Sequence, residues 1–173
     1  MGDRLPTETV SGRQLISIVV LTFNNRALLD TCLSSLLAQD YTPLEILLVD
    51  NASTDGTAEY VAQKFPTVRV ISNSANLGFA EGNNVGIRAA KGDFIFIVNP
   101  DTETAPGALR ELVQTMLDDA QIGSTAPKLL EFNRRDMIDA AGITVDRAGI
   151  AWHLKHGHRD EWETKPRFVF GGS

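Results

Sequence analysis

Apolar residues along the chain fall into short continuous runs that alternate with helically spaced stripes. Leu15 to Leu21 (LISIVVL) is a β-branched, apolar run, as expected of a strand buried on both faces. Leu28, Leu29, Cys32, Leu33, Leu36 and Leu37 then recur at helical spacing and predict an amphipathic helix. Leu44 to Val49 (LEILLV) predicts a second strand. The polar turn DNASTDGT follows, in which Ser53, Thr54 or Asp55 can cap a helix over about Thr57 to Phe65. Val68 to Ile71 predicts a third, short strand, and the Gly- and Asn-rich stretch NSANLGFAEGNN leads into a helix near Ala80 to Ala90. Asp93 to Val98 predicts a fourth strand, and Pro106 suits the first turn of a helix reaching about Asp118. Beyond about Gly123 the pattern changes. Residues 137–170 read as short β-like pieces (ITVD, GIAWHL, RFVFG) with glycine turns and no helix.

Regular alternation of strand and helix predicts an α/β domain with a largely parallel sheet, right-handed crossovers and chemistry at the carboxyl ends of the strands. The residues at those ends are polar. Thr22-Phe23-Asn24-Asn25 follows the first strand and Asp50-Asn51-Ala52-Ser53 the second. Asn76-Leu77-Gly78-Phe79 follows the third and Asn99-Pro100-Asp101 the fourth. Any one of these is an ordinary turn, since Asn, Asp, Gly and Ser dominate turns. All of them at one edge of one sheet point to a ligand site.

Composition narrows the ligand. The chain has 173 residues, a net charge of -6 and a pI near 5.0, which argues against nonspecific nucleic-acid binding. Phosphates remain open, because backbone N–H groups and a metal ion can carry their charge. The single cysteine, Cys32, sits among leucines and reads as a small buried hydrophobe. No apolar run approaches the ~20 residues of a membrane span. MGDRLPTETVSGRQ has no apolar core and reads as a disordered lead-in over residues 1–14. The expected compartment is the cytoplasm, with any membrane contact peripheral, at the inner face.

Several chemistries lack their motifs. GxGxxG after the first strand, GxxxxGK[ST] and GxSxG are all missing. His153, His156 and His158 lie together in HLKHGH without a Cys or a second His group, so solvated loop histidines are preferred to a zinc site. Carboxylates at strand ends suit a hard cation such as magnesium or manganese, which bridges phosphates using one or two protein acids. Asp101 could supply this, with Glu103 equally readable as a solvated acid. Asp50 could accept a hydrogen bond from a pyrimidine imide N–H or a ribose hydroxyl. Together these point to a metal-bound nucleoside diphosphate.

The stretches LTFNN, VDNASTDGT, NLGFAEGNN and VNPD occur in that order. With them, residues 15 to 131 resemble family 2 glycosyltransferases of GT-A fold, most of all the branch that includes rhamnosyltransferases of bacterial polysaccharide synthesis. The resemblance implies a Rossmann-like three-layer α/β/α sandwich with a mostly parallel central sheet and a β-rich extension. It divides the chain into a nucleotide-sugar-binding core over 15–131 and the start of an acceptor-side region over 132–173. It also implies roles. Thr22 and Asn24 would line the nucleoside pocket, Asp50 would contact the base, and Asn51 and Ser53 would support that loop. Asn76, Gly78 and Phe79 would sit over the sugar-nucleotide, with Asn83 and Asn84 nearby. Asp101 matches the last acid of the family's DxD motif and would bind the metal. Asn99 replaces the first acid, and its neutral amide points to a ribose hydroxyl or a metal-bound water.

The implied reaction is an inverting, metal-assisted transfer from a nucleoside-diphosphate sugar to a glycan or lipid-linked acceptor. A UDP- or dTDP-sugar is favoured, and the sugar and acceptor are left open. The family's general base lies beyond the segment that here reads RFVFGGS. The expectation is therefore a donor-binding half that turns over poorly alone, with a sheet edge left unpaired that invites self-association. The rival reading is a non-catalytic sugar-nucleotide-binding module. A phosphoacceptor receiver domain would need acids where Phe23-Asn24-Asn25 stands, and a nucleotidyltransferase would need a glycine-rich basic loop in place of TFNNRALL.

Overall fold

The computed structural model describes residues 14–148 and 150–161. The expected lead-in before Gln14 and the RFVFG piece lie outside the described residues. The chain divides into two compact units, one ending at Thr104 and the other beginning at Ala105.

The first unit runs β1 (Ile16–Thr22), a 3-10 turn (Arg26–Leu28), α1 (Leu29–Leu37), β2 (Leu44–Asp50) and α2 (Thr57–Lys64). It continues with β3 (Arg69–Ser72), α3 (Gly78–Ala89) and β4 (Phe94–Val98). The strands form one sheet in the order β3-β2-β1-β4, every pair parallel. This is the mostly parallel α/β architecture that the alternation predicts.

Strand side chains alternate between faces, and both faces of the central strands are buried. Val19, Leu47 and Val49 form one cluster, packed by Leu21, Ile71 and the α3 residues Val85 and Ala89. Ile18, Val20, Ile46 and Leu48, of the other parity, are equally buried, while α1 buries Leu29, Cys32, Leu33 and Leu36. Helix α3 lies tight on the sheet because it carries glycine at two positions one turn apart. A Cβ on Gly86 would stand 2.4 Å from Val19 Cγ1, and one on Gly82 would stand 2.6 Å from Leu21 Cδ1.

Ser17 interrupts the apolar run of β1 for a reason. Its hydroxyl donates to Glu45 Oε1 and accepts from the N–H groups of Lys91 and Gly92, which ties the approach to β4 onto β1 and β2. Burial raises the Glu45 carboxyl, but hydrogen bonds from Ser17 and from the Lys91 N–H outweigh it and hold the group below its ordinary value. At the edge of the sheet, β4 leaves Ile95 and Ile97 exposed, and among the described residues no strand pairs with its outer side.

The second unit holds α4 (Ala108–Asp118) and two antiparallel pairs, β5 (Leu129–Glu131) with β6 (Arg134–Ala140) and β7 (Ile143–Val145) with β8 (Ala151–His153). The last pair is the ITVD and GIAWHL pieces of the sequence. The β5–β6 hairpin goes unread there because RRDMIDA is mostly charged and has no clean alternation. Among the described residues no helix is long and apolar enough to cross a membrane.

Candidate functional site

The chain adds β2 and β3 on one side of β1 and then returns to place β4 on the other side. Such a reversal opens a crevice at the carboxyl ends of the strands, where open α/β sheets bind ligands. Thr22, Asp50 and Ser72 stand in register across that edge. The ladder continues into the loops, since the Asn51 N–H donates to the Thr22 carbonyl and the Asn73 N–H to the Asp50 carbonyl, each at 2.9 Å. Thr22 and Asp50 are both buried, and the Thr22 hydroxyl has no protein partner.

The loops after β1 and β2 are knitted together by Asn24. Its backbone is left-handed, φ 53°, a conformation that Asn tolerates better than most residues. Its N–H donates to Ser53 Oγ at 2.9 Å, and its Oδ1 accepts from the Thr54 N–H at 2.8 Å. The Ser53 N–H in turn donates to Asp50 Oδ1 at 3.1 Å. Asp55 closes the same region. One of its oxygens accepts from the Arg26 N–H and the other from the Thr57 N–H and hydroxyl, while the N-cap of α2 is Gly56 and not Ser53, Thr54 or Asp55 as the sequence suggests. The Thr57 hydroxyl bond above all holds the Asp55 carboxyl below its ordinary value.

Asn51 is the hub of the loop after β3. Only 2% exposed, it donates through Nδ2 to Asn76 Oδ1 at 2.7 Å and to the Gly78 carbonyl at 3.2 Å. Its Oδ1 accepts from Asn73 Nδ2 and from the Leu77 N–H, each at 3.0 Å. Its side chain is thereby committed to positioning Asn76, Leu77 and Gly78. Gly78 has φ 76°, a conformation that suits glycine. Beyond it Phe79 is 65% exposed at the start of α3. Asn83 is buried, with Nδ2 on the Phe79 carbonyl and its Oδ1 without a partner. Asn84 is exposed and donates to the Glu81 carboxylate.

The segment after β4 presents Asn99, Asp101 and Glu103, all exposed. The Asn99 carbonyl accepts from the Thr102 hydroxyl at 2.8 Å and from the Cys32 thiol at 3.7 Å. Burial pushes the Cys32 thiol up to about 11, which leaves it a protonated donor near neutral pH. No group of three or more His, Cys, Asp or Glu residues converges as a metal-binding cluster among the described residues. A lone carboxylate does not fit a resident metal cage. It does fit a hard cation that arrives with a diphosphate and keeps water and phosphate oxygens as its other ligands.

Of the site residues expected from the sequence, hydrogen bonds join Thr22, Asn24, Asp50, Asn51, Ser53, Asn76 and Gly78 into one framework. Phe79 and Asn83 follow on α3, and Asn99 and Asp101 on the β4 segment. Asp55, Asn73, Ser35 and Gln39 were not foreseen. Asp55 reads in the sequence as a candidate cap, whereas the N-cap is Gly56 and Asp55 instead ties Arg26 to Thr57. Ser35 follows Cys32 on a leucine-rich helix whose apolar stripe hides it, and Gln39 lies in the turn just past that helix.

Residues 17–169 match the family model described as glycosyl transferase family 2. The glycosyltransferase YibD of Escherichia coli is 33% identical over 107 residues, covering 60% of this chain and 31% of YibD. An N-acetylglucosaminyl-diphospho-decaprenol L-rhamnosyltransferase of Mycobacterium tuberculosis is 29% identical over 124 residues, covering 65% of this chain and 40% of that protein. The chain thus spans well under half the length of these curated relatives. Among solved structures, a mannosyltransferase from Pyrobaculum calidifontis in complex with GDP-Man and Mn2+ superposes with a TM-score of 0.57 at 29% identity. That match covers 61% of this chain and 33% of the mannosyltransferase.

Proposed function

The chain belongs to glycosyl transferase family 2, and from that premise we propose that it carries the donor side of a sugar transferase. The donor is a nucleoside-diphosphate sugar, with UDP- or dTDP-sugars favoured, and the acceptor is a glycan or a lipid-linked glycan. The donor core is taken as residues 15–131, with residues 132–173 beginning the acceptor side. The observation that carries this reading is the framework in which Thr22, Asp50 and Asn51 are buried at one sheet edge and tied to Asn24, Ser53, Asn76 and Gly78.

In this reading Thr22 and Asn24 line the nucleoside pocket. The second oxygen of Asp50 accepts from the imide N–H of the base, which favours uracil or thymine. Guanine also offers a ring N–H, and the archaeal neighbour holds GDP-Man, so it is the alternative base. Asn76, Gly78 and Phe79 lie over the sugar-nucleotide, with Asn83 behind them. Asn99 addresses a ribose hydroxyl or a metal-bound water, and Asp101 holds the metal. Magnesium or manganese, when bound, would stabilise negative charge on the departing diphosphate. An acceptor hydroxyl attacks the anomeric carbon from the opposite face, the bond to the diphosphate oxygen breaks, and configuration inverts. The hydroxyl proton passes to a general base that is not assigned to any residue described here.

Calorimetric titration with UDP, dTDP and GDP, each with and without manganese, tests the reading. Metal-dependent binding of one nucleotide, lost in Asp101→Ala, is the expected result. Absence of binding by all of them, or binding indifferent to both metal and Asp101, would overturn it.

A further inference from the structure

The segment that carries Asp101 is gripped at both ends by side chains of α1 and of the turn that follows it. Cys32 and Ser35 fall at i and i+3, so they share a face of α1, and Gln39 lies just beyond its C-terminal end. At the near end the Cys32 thiol donates to the Asn99 carbonyl at 3.7 Å, supported by the Thr102 hydroxyl at 2.8 Å. At the far end both backbone groups of Thr104 are taken. Its N–H donates to Ser35 Oγ at 3.0 Å, and its carbonyl accepts from Gln39 Nε2 at 3.2 Å. The two polar side chains are themselves fixed, since Ser35 Oγ donates to the Cys32 carbonyl at 2.8 Å and Gln39 Nε2 also donates to the Ser35 carbonyl at 3.1 Å. Asp101 lies between the anchors and is exposed.

We propose that Ser35 and Gln39, with Cys32, are positioning residues that hold Asp101 in its metal-binding place. This rests on the reading of Asp101 as the metal-holding residue. The physical argument is one of entropy and number of ligands. A site with a single protein carboxylate has no second ligand to correct a misplaced first one, so the backbone on either side must fix it. Fixing a residue's backbone costs conformational entropy. Here that cost is met in the folded protein by bonds from α1 and the turn after it, before any metal arrives. Neither Ser35 nor Gln39 adds to the apolar core, so their contacts are explained by what they hold.

The test uses the full chain and Ser35→Ala, Gln39→Ala and Ser35→Thr, with Asp101→Ala as reference. Nucleotide binding is titrated against manganese, and backbone hydrogen exchange is followed over residues 99–104. Ser35→Ala and Gln39→Ala are expected to weaken apparent manganese affinity about 10-fold or more, the size seen when outer partners of metal ligands are removed. Metal-free nucleotide binding should be unchanged, exchange over 99–104 should quicken, and Ser35→Thr, which keeps the hydroxyl, should restore both. If Asp101→Ala abolishes the manganese effect while Ser35→Ala and Gln39→Ala leave it intact, the clamp is refuted and the site reading survives. If Asp101→Ala leaves the manganese effect intact, the site reading falls and the clamp's purpose with it. Unchanged exchange in both Ser35→Ala and Gln39→Ala refutes the clamp whatever the nucleotide does.

Discussion

Asn51 Nδ2 lies 2.7 Å from Asn76 Oδ1, so a buried residue at the end of β2 sets the loop that follows β3. Asn51→Ala would strip partners from the Leu77 N–H, the Asn73 amide and Asn76 together. Leaving buried polar groups unsatisfied costs about 1–3 kcal/mol, so the urea midpoint should fall with little change in slope. Nucleotide affinity should fall with it, because Asn76 and Gly78 lose their anchor. Asn51→Asp keeps the acceptor for Leu77 but loses the donor to Asn76, and should fall between the two in loop protection measured by hydrogen exchange.

Gly86→Ala sets two effects against each other. Alanine in a helix interior is favoured over glycine by about 1 kcal/mol. The added Cβ, however, would meet Val19 Cγ1 at 2.4 Å and Val49 Cγ2 at 3.0 Å, and both valines belong to the central cluster. Overpacking of this kind costs about 1–3 kcal/mol, so the net change should be destabilising. Gly123→Ala meets nothing within 4 Å and serves as the control, with no loss expected in the same denaturation series.

What the sequence discloses and what it hides follow from the range of each interaction. The two central strands are legible because a strand buried on both faces is a continuous apolar run, as in LISIVVL, and β4 reads as one too (FIFIV) although Ile95 and Ile97 stay exposed. The strand-end residues are legible because they follow directly from those runs. The RRDMIDA strand is not, because its placement comes from pairing with Leu129–Glu131 and not from its own periodicity. Asn51 reads as a loop support, yet its partners Asn73 and Leu77 are set by a crossover that no local pattern encodes. Ser35 and Gln39 are hidden for the same reason. Their meaning depends on Thr104, which is far away in sequence and adjacent only once β4 lies beside β1.

Cys32 gives a pH signature. Its thiol is raised from 9.0 to about 11, chiefly by burial. A raised value favours the protonated thiol in the folded state, so this contribution to stability is fully present below pH 9.0 and is lost as pH rises toward about 11. Stability measured across that window should fall, by about 1.4 kcal/mol for each unit of difference at most, and Cys32→Ala should remove this part of the slope. At neutral pH the thiol of the native protein should resist a disulfide-exchange reagent and react only after denaturant is added.

Asn24 separates backbone strain from hydrogen bonding at the site. Its φ of 53° costs a side-chain-bearing residue about 1–2 kcal/mol relative to glycine, and the Oδ1 bond to the Thr54 N–H at 2.8 Å offsets that strain. Asn24→Ala loses the bond and keeps the strain, whereas Asn24→Gly loses the bond and relieves the strain. Stability in urea should therefore rank Asn above Gly above Ala. Nucleotide affinity should not follow that ranking. If Asn24 lines the nucleoside pocket, both variants weaken binding, and glycine, which frees the loop that Ser53 and Thr54 hold, should recover stability without recovering affinity. A glycine variant that binds as tightly as the parent would remove Asn24 from the pocket and leave it a structural tie between the first two loops.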